Sequence, residues 1–245
     1  MLNKGKINKF MSGVLVAPMV LGISNQTFEN LKVFASSGVL DEDYIPEENL
    51  VEVDEDYYNA EELNEKNIDK NGLRYELKRQ EATVEKCTDK ERERIIIPSY
   101  VKKDSKVYKV TKIGEYAFAR CSGLTGELKI PESVTSIGER AFEGCRGLTG
   151  ELKIPSGVRE IGYGAFYGCR GLTGELIIPG SVTKIGEYAF ARCSGLTGEL
   201  KIPESVTKIG ADAFYGCSGL KKIRVPKGAK VVKDVFPSGV EIKKY

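Results

Sequence analysis

SGLTGELKIPESVTSIGERAFEGC (residues 122–145) and RGLTGELKIPSGVREIGYGAFYGC (residues 146–169) are consecutive copies of one 24-residue unit. Two further copies follow, so a cysteine recurs once per unit and always at the same position. The cysteines are Cys121, Cys145, Cys169, Cys193 and Cys217. Repeats of this length with leucines at fixed positions predict a solenoid, in which each unit forms one coil.

Each unit carries eight apolar positions that predict the core. In the unit 122–145 they are Leu124, Leu128, Ile130, Val134, Ile137, Ala141, Phe142 and Cys145. One coil has no second layer that would bury these side chains, so neighbouring coils must stack and align them in continuous rows. Stability is therefore expected to belong to the stack rather than to any single unit.

Three segments of the unit predict its local structure. Residues 127–130 alternate charged and apolar side chains, which indicates a half-buried strand that ends at Pro131. Residues 134–137 predict a second, shorter strand. The Ala-Phe-x-x-Cys segment that ends each unit fits one helical turn.

The pattern LTxxLxIPxxVxxIGxxAFxxC resembles the BspA-like leucine-rich repeats of bacterial surface proteins, and the resemblance covers residues 73–245. It implies adhesion to host or matrix proteins or to other bacteria. We predict a right-handed leucine-rich repeat solenoid of 24-residue coils. Its strands are short and mostly parallel, its turns helical, and both its ends capped. LTGELKIP carries one residue more between its leucines than the common form, which we expect a bulge at Gly126 to absorb.

The chain divides into five predicted parts. Residues 1–35 form a signal peptide, because Lys4, Lys6 and Lys9 precede an apolar run and Val33-Phe34-Ala35 is a cleavage pattern. An uncleaved anchor is the alternative. Residues 36–70 form an acidic disordered spacer, 71–121 an N-terminal β cap with an irregular first repeat, 122–217 four repeats, and 218–245 a C-terminal cap. The expected location is secreted or at the cell surface, after cleavage near Ala35.

The spacer holds 13 acidic residues and only two basic ones, whereas residues 71–245 hold 31 basic and 21 acidic residues. A solvated tether is the first interpretation, and an electrostatic cover lying along the solenoid is the second. Asn67-x-Asp69-x-Asn71-Gly72 imitates the start of a calcium loop. The twelfth position is Lys78 where a bidentate glutamate is required, so turn chemistry explains this motif better.

The two caps have their own patterns. LRYELKR and ATVEKC predict two strands between residues 73 and 87, and residues 102–106 predict a hairpin whose returning strand is 107–113. Residues 239–242 predict a closing strand. Solenoid ends expose core and unpaired edges, so atypical terminal units are expected there.

Composition limits the chemistry that is available. Histidine is absent, which excludes Ser-His and Cys-His catalytic pairs and histidine-ligated metals, and no cofactor is expected. The six cysteines would suit disulfides. Parallel stacking instead favours a row of buried free thiols, with bridges or metal-linked pairs as the alternative. Cys87 lies outside the row and is assigned to the core of the cap.

Two sets of outward side chains are candidate binding residues. One set forms charged columns on the first strand, and the other is aromatic and flanks the Ala-Phe pair. The columns are Glu127, Glu151, Glu175 and Glu199, beside Lys129, Lys153, Ile177 and Lys201. The aromatic residues are Tyr116, Tyr163, Tyr167, Tyr188 and Tyr215. A solvated charged face and packing between coils are the respective alternatives.

Enzymatic activity is not expected. Glu127 and Glu151 would approach the carboxylate spacing of retaining glycosidases, but repetition makes the glutamates equivalent, whereas catalysis needs different environments. The basic residues lack a grooved, aromatic arrangement, so nucleic acid is not expected either. The predicted function is non-covalent binding of an extracellular protein or glycan by a monomer that meets the membrane only through its leader. A structural spacer of the cell envelope is the alternative.

Overall fold

The computed structural model describes residues 55–232 and 235–245. The predicted signal peptide and residues 36–54 of the predicted spacer lie outside the described residues. Residues 56–245 form one compact unit. No helix among the described residues has the length and apolar character needed to cross a membrane.

The N-terminal cap consists of paired hairpins joined to the repeats. Its elements are α1 (Glu55–Tyr58), β1 (Glu61–Glu62), β2 (Leu73–Lys78), β3 (Glu81–Cys87), β4 (Tyr100–Lys103) and β5 (Lys106–Ile113). Strands β2 and β3 pair antiparallel, as do β4 and β5, and β3 runs parallel to β5. The predicted cap strands and hairpin are therefore confirmed.

The prediction of a disordered spacer through residue 70 is wrong for residues 55–70. Strand β1 pairs in parallel with β4, and the Leu63 amide donates to the Lys102 carbonyl at 2.8 Å. Leu63 is buried, as is Asp69. The Asp69 carboxylate accepts hydrogen bonds from the Asn71 and Leu73 amides at 2.8 and 2.9 Å and from the Tyr75 hydroxyl at 2.8 Å. These contacts form a turn at the calcium-like motif, and burial raises the pKa of Asp69.

The second strand of each repeat builds the sheet with the most strands, although the sequence predicted only that this strand would be the shorter of the two. These strands are β7 (Ser136–Ile137), β9 (Glu160–Ile161), β11 (Lys184–Ile185), β13 (Lys208–Ile209) and β15 (Lys230–Val231). They continue β5 in parallel within a ten-stranded sheet. Equivalent positions of successive repeats are paired, as Ile137 is with Ile161.

The first strand of each repeat is interrupted. These strands are β6 (Gly126–Glu127), β8 (Leu148–Thr149), β10 (Gly174–Glu175), β12 (Leu196–Lys201), β14 (Leu220–Val225) and β16 (Glu241–Lys244). They form one two-stranded and one four-stranded sheet. Gly126 has φ +77° and pairs with Leu148 rather than with its repeat equivalent Gly150, whereas Lys153 pairs with its own equivalent, Ile177. Within one strand, the register shift is seen between Gly198 and Glu199, the repeat equivalents of Gly126 and Glu127, where the sequence predicted a bulge.

The turn segments, which run from glycine to cysteine, are not helical. They comprise residues 114–121, 138–145, 162–169, 186–193 and 210–217. Two residues in each have left-handed backbone conformation, such as Arg140 (φ 50°) and Gly144 (φ 72°) in the second. A right-handed helix requires negative φ throughout. The predicted helical turn is therefore wrong. Successive turns closed by hydrogen bonds between residues i and i+3 replace it, as in the bond from the Glu143 amide to the Arg140 carbonyl at 3.1 Å.

Hydrogen bonds tie the turn segments to one another in both directions. The amides of Phe142 and Phe166 donate to alanine carbonyls of the following coil, Ala165 and Ala189, at 2.7 and 2.8 Å. The Cys169 thiol donates to the Phe142 carbonyl of the preceding coil at 3.1 Å. Phe142 is thus hydrogen-bonded twice to the following coil, through its amide to Ala165 and through its carbonyl to Cys169.

The core consists of continuous rows, as predicted. The phenylalanine rings stack almost parallel, with centroid distances of 4.8 Å between Phe118 and Phe142 and of 5.3 Å between Phe142 and Phe166. The row continues through Phe190 and Phe214 at 5.4 Å. The cysteines are buried free thiols. Burial of a phenylalanine, leucine, isoleucine or valine side chain contributes about 1.5–3 kcal/mol, so the stack supplies the stability that one coil lacks.

The C-terminal end closes this core only in part. Phe236 extends the phenylalanine row at 5.9 Å with a 19° tilt, and β16 confirms the predicted closing strand. Val232 and Ile242 remain 46% and 50% exposed. The last coil therefore leaves apolar surface open to solvent.

Candidate binding surface

Tyrosine and arginine side chains of successive turn segments assemble on the outer surface. The Arg140 guanidinium lies over the rings of Tyr116 at 5.8 Å and Tyr163 at 5.1 Å from their centroids. Both distances allow cation–π attraction. Arg140 therefore joins tyrosines that belong to the coils on either side of it.

The same contacts continue into the next coil. The Tyr188 ring meets Tyr163 edge-on at 5.7 Å and Tyr167 at 6.5 Å, and the Arg192 guanidinium lies over Tyr167 at 5.7 Å. We call this set the tyrosine–arginine cluster. Its members are Tyr116, Arg140, Tyr163, Tyr167, Tyr188 and Arg192. It brings together four of the five predicted tyrosines, and each side chain is exposed or half-buried.

Four members of the cluster have the left-handed backbone conformation that favours glycine: Arg192, with φ 61°, and three that share one position of the repeat. Tyr116, Arg140 and Tyr188 have φ values of 55°, 50° and 56°, and the equivalent residue of the third coil is Gly164 with φ 54°. A left-handed conformation costs a residue with a Cβ atom roughly 1–2 kcal/mol, which glycine avoids. Retention of large side chains in such positions is typical of functional surfaces.

Hydrogen bonds fix the charge state of the cluster. The Tyr163 hydroxyl raises the pKa of Arg140, which also pairs with Glu143 at 3.3 Å. A hydrogen bond to Asp212, followed by its negative charge, raises the pKa of Tyr188. At neutral pH the cluster thus presents permanent cations beside neutral phenols.

The charged columns do not have the predicted register. Glu127 pairs with Thr149 and Glu175 with Thr197, so the glutamates of adjacent coils do not lie opposite each other. The glycine bulge shifts the strand at these residues. The adjacent-carboxylate geometry on which the glycosidase hypothesis depended is therefore absent from these pairs. Lys153 and Ile177 do pair in register, as predicted.

The columns are mostly open to solvent. Glu199 approaches Lys222 and Arg224 at 3.8 and 3.6 Å, while across the described ranges no cation lies within salt-bridge distance of Glu127, Glu151 or Glu175. Ile177 is 69% exposed. Lys129, Lys153 and Lys201 are also exposed. This face thus offers unpaired carboxylates around a single exposed apolar side chain.

One predicted residue is isolated and several participants were missed. Tyr215 is 52% exposed, and in the part of the chain that the structure describes it makes no ring or cation–π contact. Arg140 and Arg192 were not predicted, although Arg140 occupies the same position of the repeat as Tyr116. Tyr245 was missed too, and its ring lies beneath Lys201 at 5.6 Å and Arg224 at 5.3 Å.

Known proteins share this architecture. The profile of the BspA type Leucine rich repeat region matches residues 110–239 in six copies. A leucine-rich repeat protein from Bacteroides ovatus is 30% identical over 71% of this chain and 52% of its own, with a TM-score of 0.56. A leucine rich cell surface protein from Faecalibacterium prausnitzii is 31% identical over 71% of this chain and 49% of its own, with a TM-score of 0.60.

The leucine-rich repeat protein of T. pallidum is 27% identical over 70% of this chain and 83% of its own, with a TM-score of 0.55. No curated protein sequence matches this chain. The chain spans about half the length of the Bacteroides and Faecalibacterium proteins. Proteins with such repeats generally mediate protein interactions and are typically non-enzymatic scaffolds. The matched repeats cover more than half of the sequence, and this chain belongs to the BspA-type leucine-rich repeat family.

Proposed function

We propose that this protein is exported and binds protein or glycan partners non-covalently at or outside the cell surface, in the manner of an adhesin. The tyrosine–arginine cluster is the proposed contact surface. The presence of tyrosine and arginine at positions that favour glycine is the observation that supports this most directly.

The chemistry of the cluster suits recognition. Tyrosine and arginine are the residue types enriched among interface residues that contribute most binding energy. Tyrosine rings offer large apolar faces with a polar tip, and these faces also suit sugar rings. Because cation–π and edge contacts already hold the rings, binding immobilises few further side chains.

A binding assay with the full chain tests the proposed surface. Immobilised protein is exposed to a panel of purified extracellular matrix proteins and to a glycan array, and dissociation constants are compared between variants. Tyr163→Ala and Tyr188→Ala should each weaken any interaction at least about tenfold, which corresponds to the loss of one interface anchor.

Glu160→Ala is the matched control, because Glu160 lies in β9 of the ten-stranded sheet and not in a turn segment. Its carboxylate pairs with Lys184 at 2.5 Å. Equal affinities of all three variants would place the contact surface elsewhere. Glu151→Lys and Lys153→Glu then test the charged columns. If no probe binds the wild-type chain, the structural-spacer hypothesis is favoured instead.

Export has a separate test. The location rests on the family, whose members are typically cell-surface proteins, and on the leader pattern of residues 1–35. Mass spectrometry of the protein recovered outside its producing cells should show an N-terminus close to residue 36. Recovery of the intact chain only from the cell interior would contradict export.

A further inference from the structure

Cys87 and Cys121 meet where the cap joins the first repeat. Cys87 ends β3, and its amide donates to the carbonyl of Ala117 at 2.7 Å, which holds it beside the turn segment that ends in Cys121. Both cysteines line one cavity of about 380 Å³, and because each is only 1% exposed, this cavity is the route by which a reagent would reach them. The other cysteines of the row are not among the residues that line this cavity.

Cys121 differs from the thiols that follow it. Cys145 and Cys217 donate to phenylalanine carbonyls of the preceding coil, Phe118 and Phe190, each at 3.0 Å. The cap places a thiol rather than a further phenylalanine before Cys121. Cys121 therefore hydrogen-bonds to the Cys87 sulfur, while the Cys87 thiol reaches the Asp89 carbonyl at 3.1 Å.

This arrangement gives the two thiols different reactivity from the rest. The hydrogen bond from Cys121 lowers the pKa of Cys87, whereas burial raises the pKa of Cys145 to about 12. A thiolate, not a thiol, attacks disulfides. The charged residues that line the cavity are four bases and three acids, so its lining carries one net positive charge: Lys86, Lys90, Arg120, Arg140, Glu85, Glu115 and Glu143.

We propose that Cys87 and Cys121 form a thiol–disulfide exchange pair that small disulfides oxidise, so that the N-terminal cap becomes covalently fastened to the first repeat. The proposal is independent of the binding surface. It rests on the shared cavity and on the backbone hydrogen bond from Cys87 to Ala117, which holds Cys87 beside the turn segment that ends in Cys121.

The exchange has two balanced steps. The Cys87 thiolate attacks one sulfur of a small disulfide RSSR, forming Cys87–S–S–R and releasing the thiolate RS⁻. That thiolate takes the proton of Cys121, whose sulfur then attacks the Cys87 sulfur and releases a second RS⁻, which is protonated by solvent. Two protein thiols are oxidised, and RSSR is reduced to two molecules of RSH.

The bond would close a loop that contains the β4–β5 hairpin. The ends of a solenoid lack one neighbouring coil and open most readily. A crosslink between β3 and the first turn segment would thus protect the N-terminal end of the stack, by limiting the freedom of the unfolded chain.

The test uses the full chain and oxidised glutathione. After incubation under native conditions, the protein is denatured in N-ethylmaleimide, digested and mapped by mass spectrometry. We expect one linked peptide pair that joins Cys87 to Cys121, with the other four cysteines alkylated. Cys121→Ser should leave glutathione attached to Cys87, and Cys87→Ser should abolish both adduct and link.

Cys169→Ser is the matched control and should still form the link. An unreacted Cys87, or a glutathione adduct that persists in the wild-type chain, would overturn the proposal. So would a link from Cys121 to Cys145. Because the wild-type map alone distinguishes these outcomes, misfolding of a variant does not obscure the result.

Discussion

The inner and outer sides of the turn segments follow one backbone but have very different sequences. Towards the core, alanine, phenylalanine and cysteine recur in every coil with fully buried side chains. On the outside, one left-handed position is occupied in turn by Tyr116, Arg140, Gly164, Tyr188 and Asp212. Stacking dictates the inner residues, because each must match the ring or thiol above and below. The outer residues are chosen on other grounds, even against the preference of the backbone.

The strongest test of the inner side is Phe166→Ala. Its ring lies between Phe142 and Phe190 at 5.3 and 5.4 Å, so truncation leaves a cavity that two rigid neighbours cannot fill. We expect the free energy of unfolding, measured by urea denaturation, to fall by about 3–5 kcal/mol. Phe236→Ala, at the half-buried end of the row, should cost clearly less. A loss below about 1 kcal/mol at Phe166 would contradict the stacked core.

A second test of the inner side uses alkaline pH. Burial raises the pKa of Cys217 from its ordinary 9.0 to about 12. Below pH 9 both states hold the proton; above it the unfolded chain loses the proton first, so stability falls as pH rises towards 12. At pH 10 the free energy of unfolding should be about 1.4 kcal/mol lower because of this thiol than it is below pH 9.

Cys217→Ala should therefore show a smaller loss of stability between pH 8 and pH 10 than the wild type, both measured with a reducing agent present. Ser218→Ala, which alters the exposed neighbouring residue, should behave like the wild type. Identical pH dependence in all three proteins would mean that the pKa of Cys217 is the same in the folded and the unfolded chain.

The outer side should respond to substitution in the opposite direction. Tyr116 has φ 55°, so Tyr116→Gly is expected to be more stable than Tyr116→Ala by about 1 kcal/mol. Glu115, one residue earlier, has no left-handed φ, and there alanine should be the more stable of the two. Thermal denaturation of the four variants checks this. If alanine were more stable than glycine at both positions, the argument from backbone preference would fail.

The smallest effect is expected for Arg140→Gln. Its stacking on Tyr116 and Tyr163 and its ion pair with Glu143 lie at the outer surface, where solvent screens them, so only a small loss of stability is expected, below that of the variants above. Because the ion pair is screened, added salt should reduce the difference from the wild type. A loss comparable to that of Phe166→Ala would show that the cluster supports the fold.

The sequence predicted the inner side well. The constant repeat length is sufficient to place Phe142, Phe166 and Phe190 in one row, because any stack in register aligns equal positions. The cap strands and the hairpin before residue 113 also followed from alternation and spacing. These features depend on the repeat length and on the pattern of apolar residues, both of which can be read from the sequence.

The errors arose where one backbone angle decides the outcome. Ala-Phe-x-x-Cys has helical spacing, but the left-handed φ at Arg140 and Gly144 converts it into turns. The glycine bulge likewise moved Glu127 away from Glu151. The acidic composition of residues 55–70 concealed the packing of Leu63 and the hydrogen bonds of Asp69. Arg140 was not predicted because only tyrosines were considered as candidates on this side, although Arg140 occupies the same position of the repeat as Tyr116.

The hydrogen bonds between turn segments also give the turn side of the stack an electrical direction. In the segments 138–145, 162–169 and 186–193, three amides donate to the following coil and only the first, a glycine amide, donates to the preceding one. From Tyr116 to Arg192, the amides that cross to the following coil donate towards the C-terminal end, and the carbonyls that receive them face back. Aligned peptide dipoles add, as they do along a helix. The turn side of the stack should thus carry partial positive charge at its C-terminal end, and anions would be drawn preferentially towards the last coil.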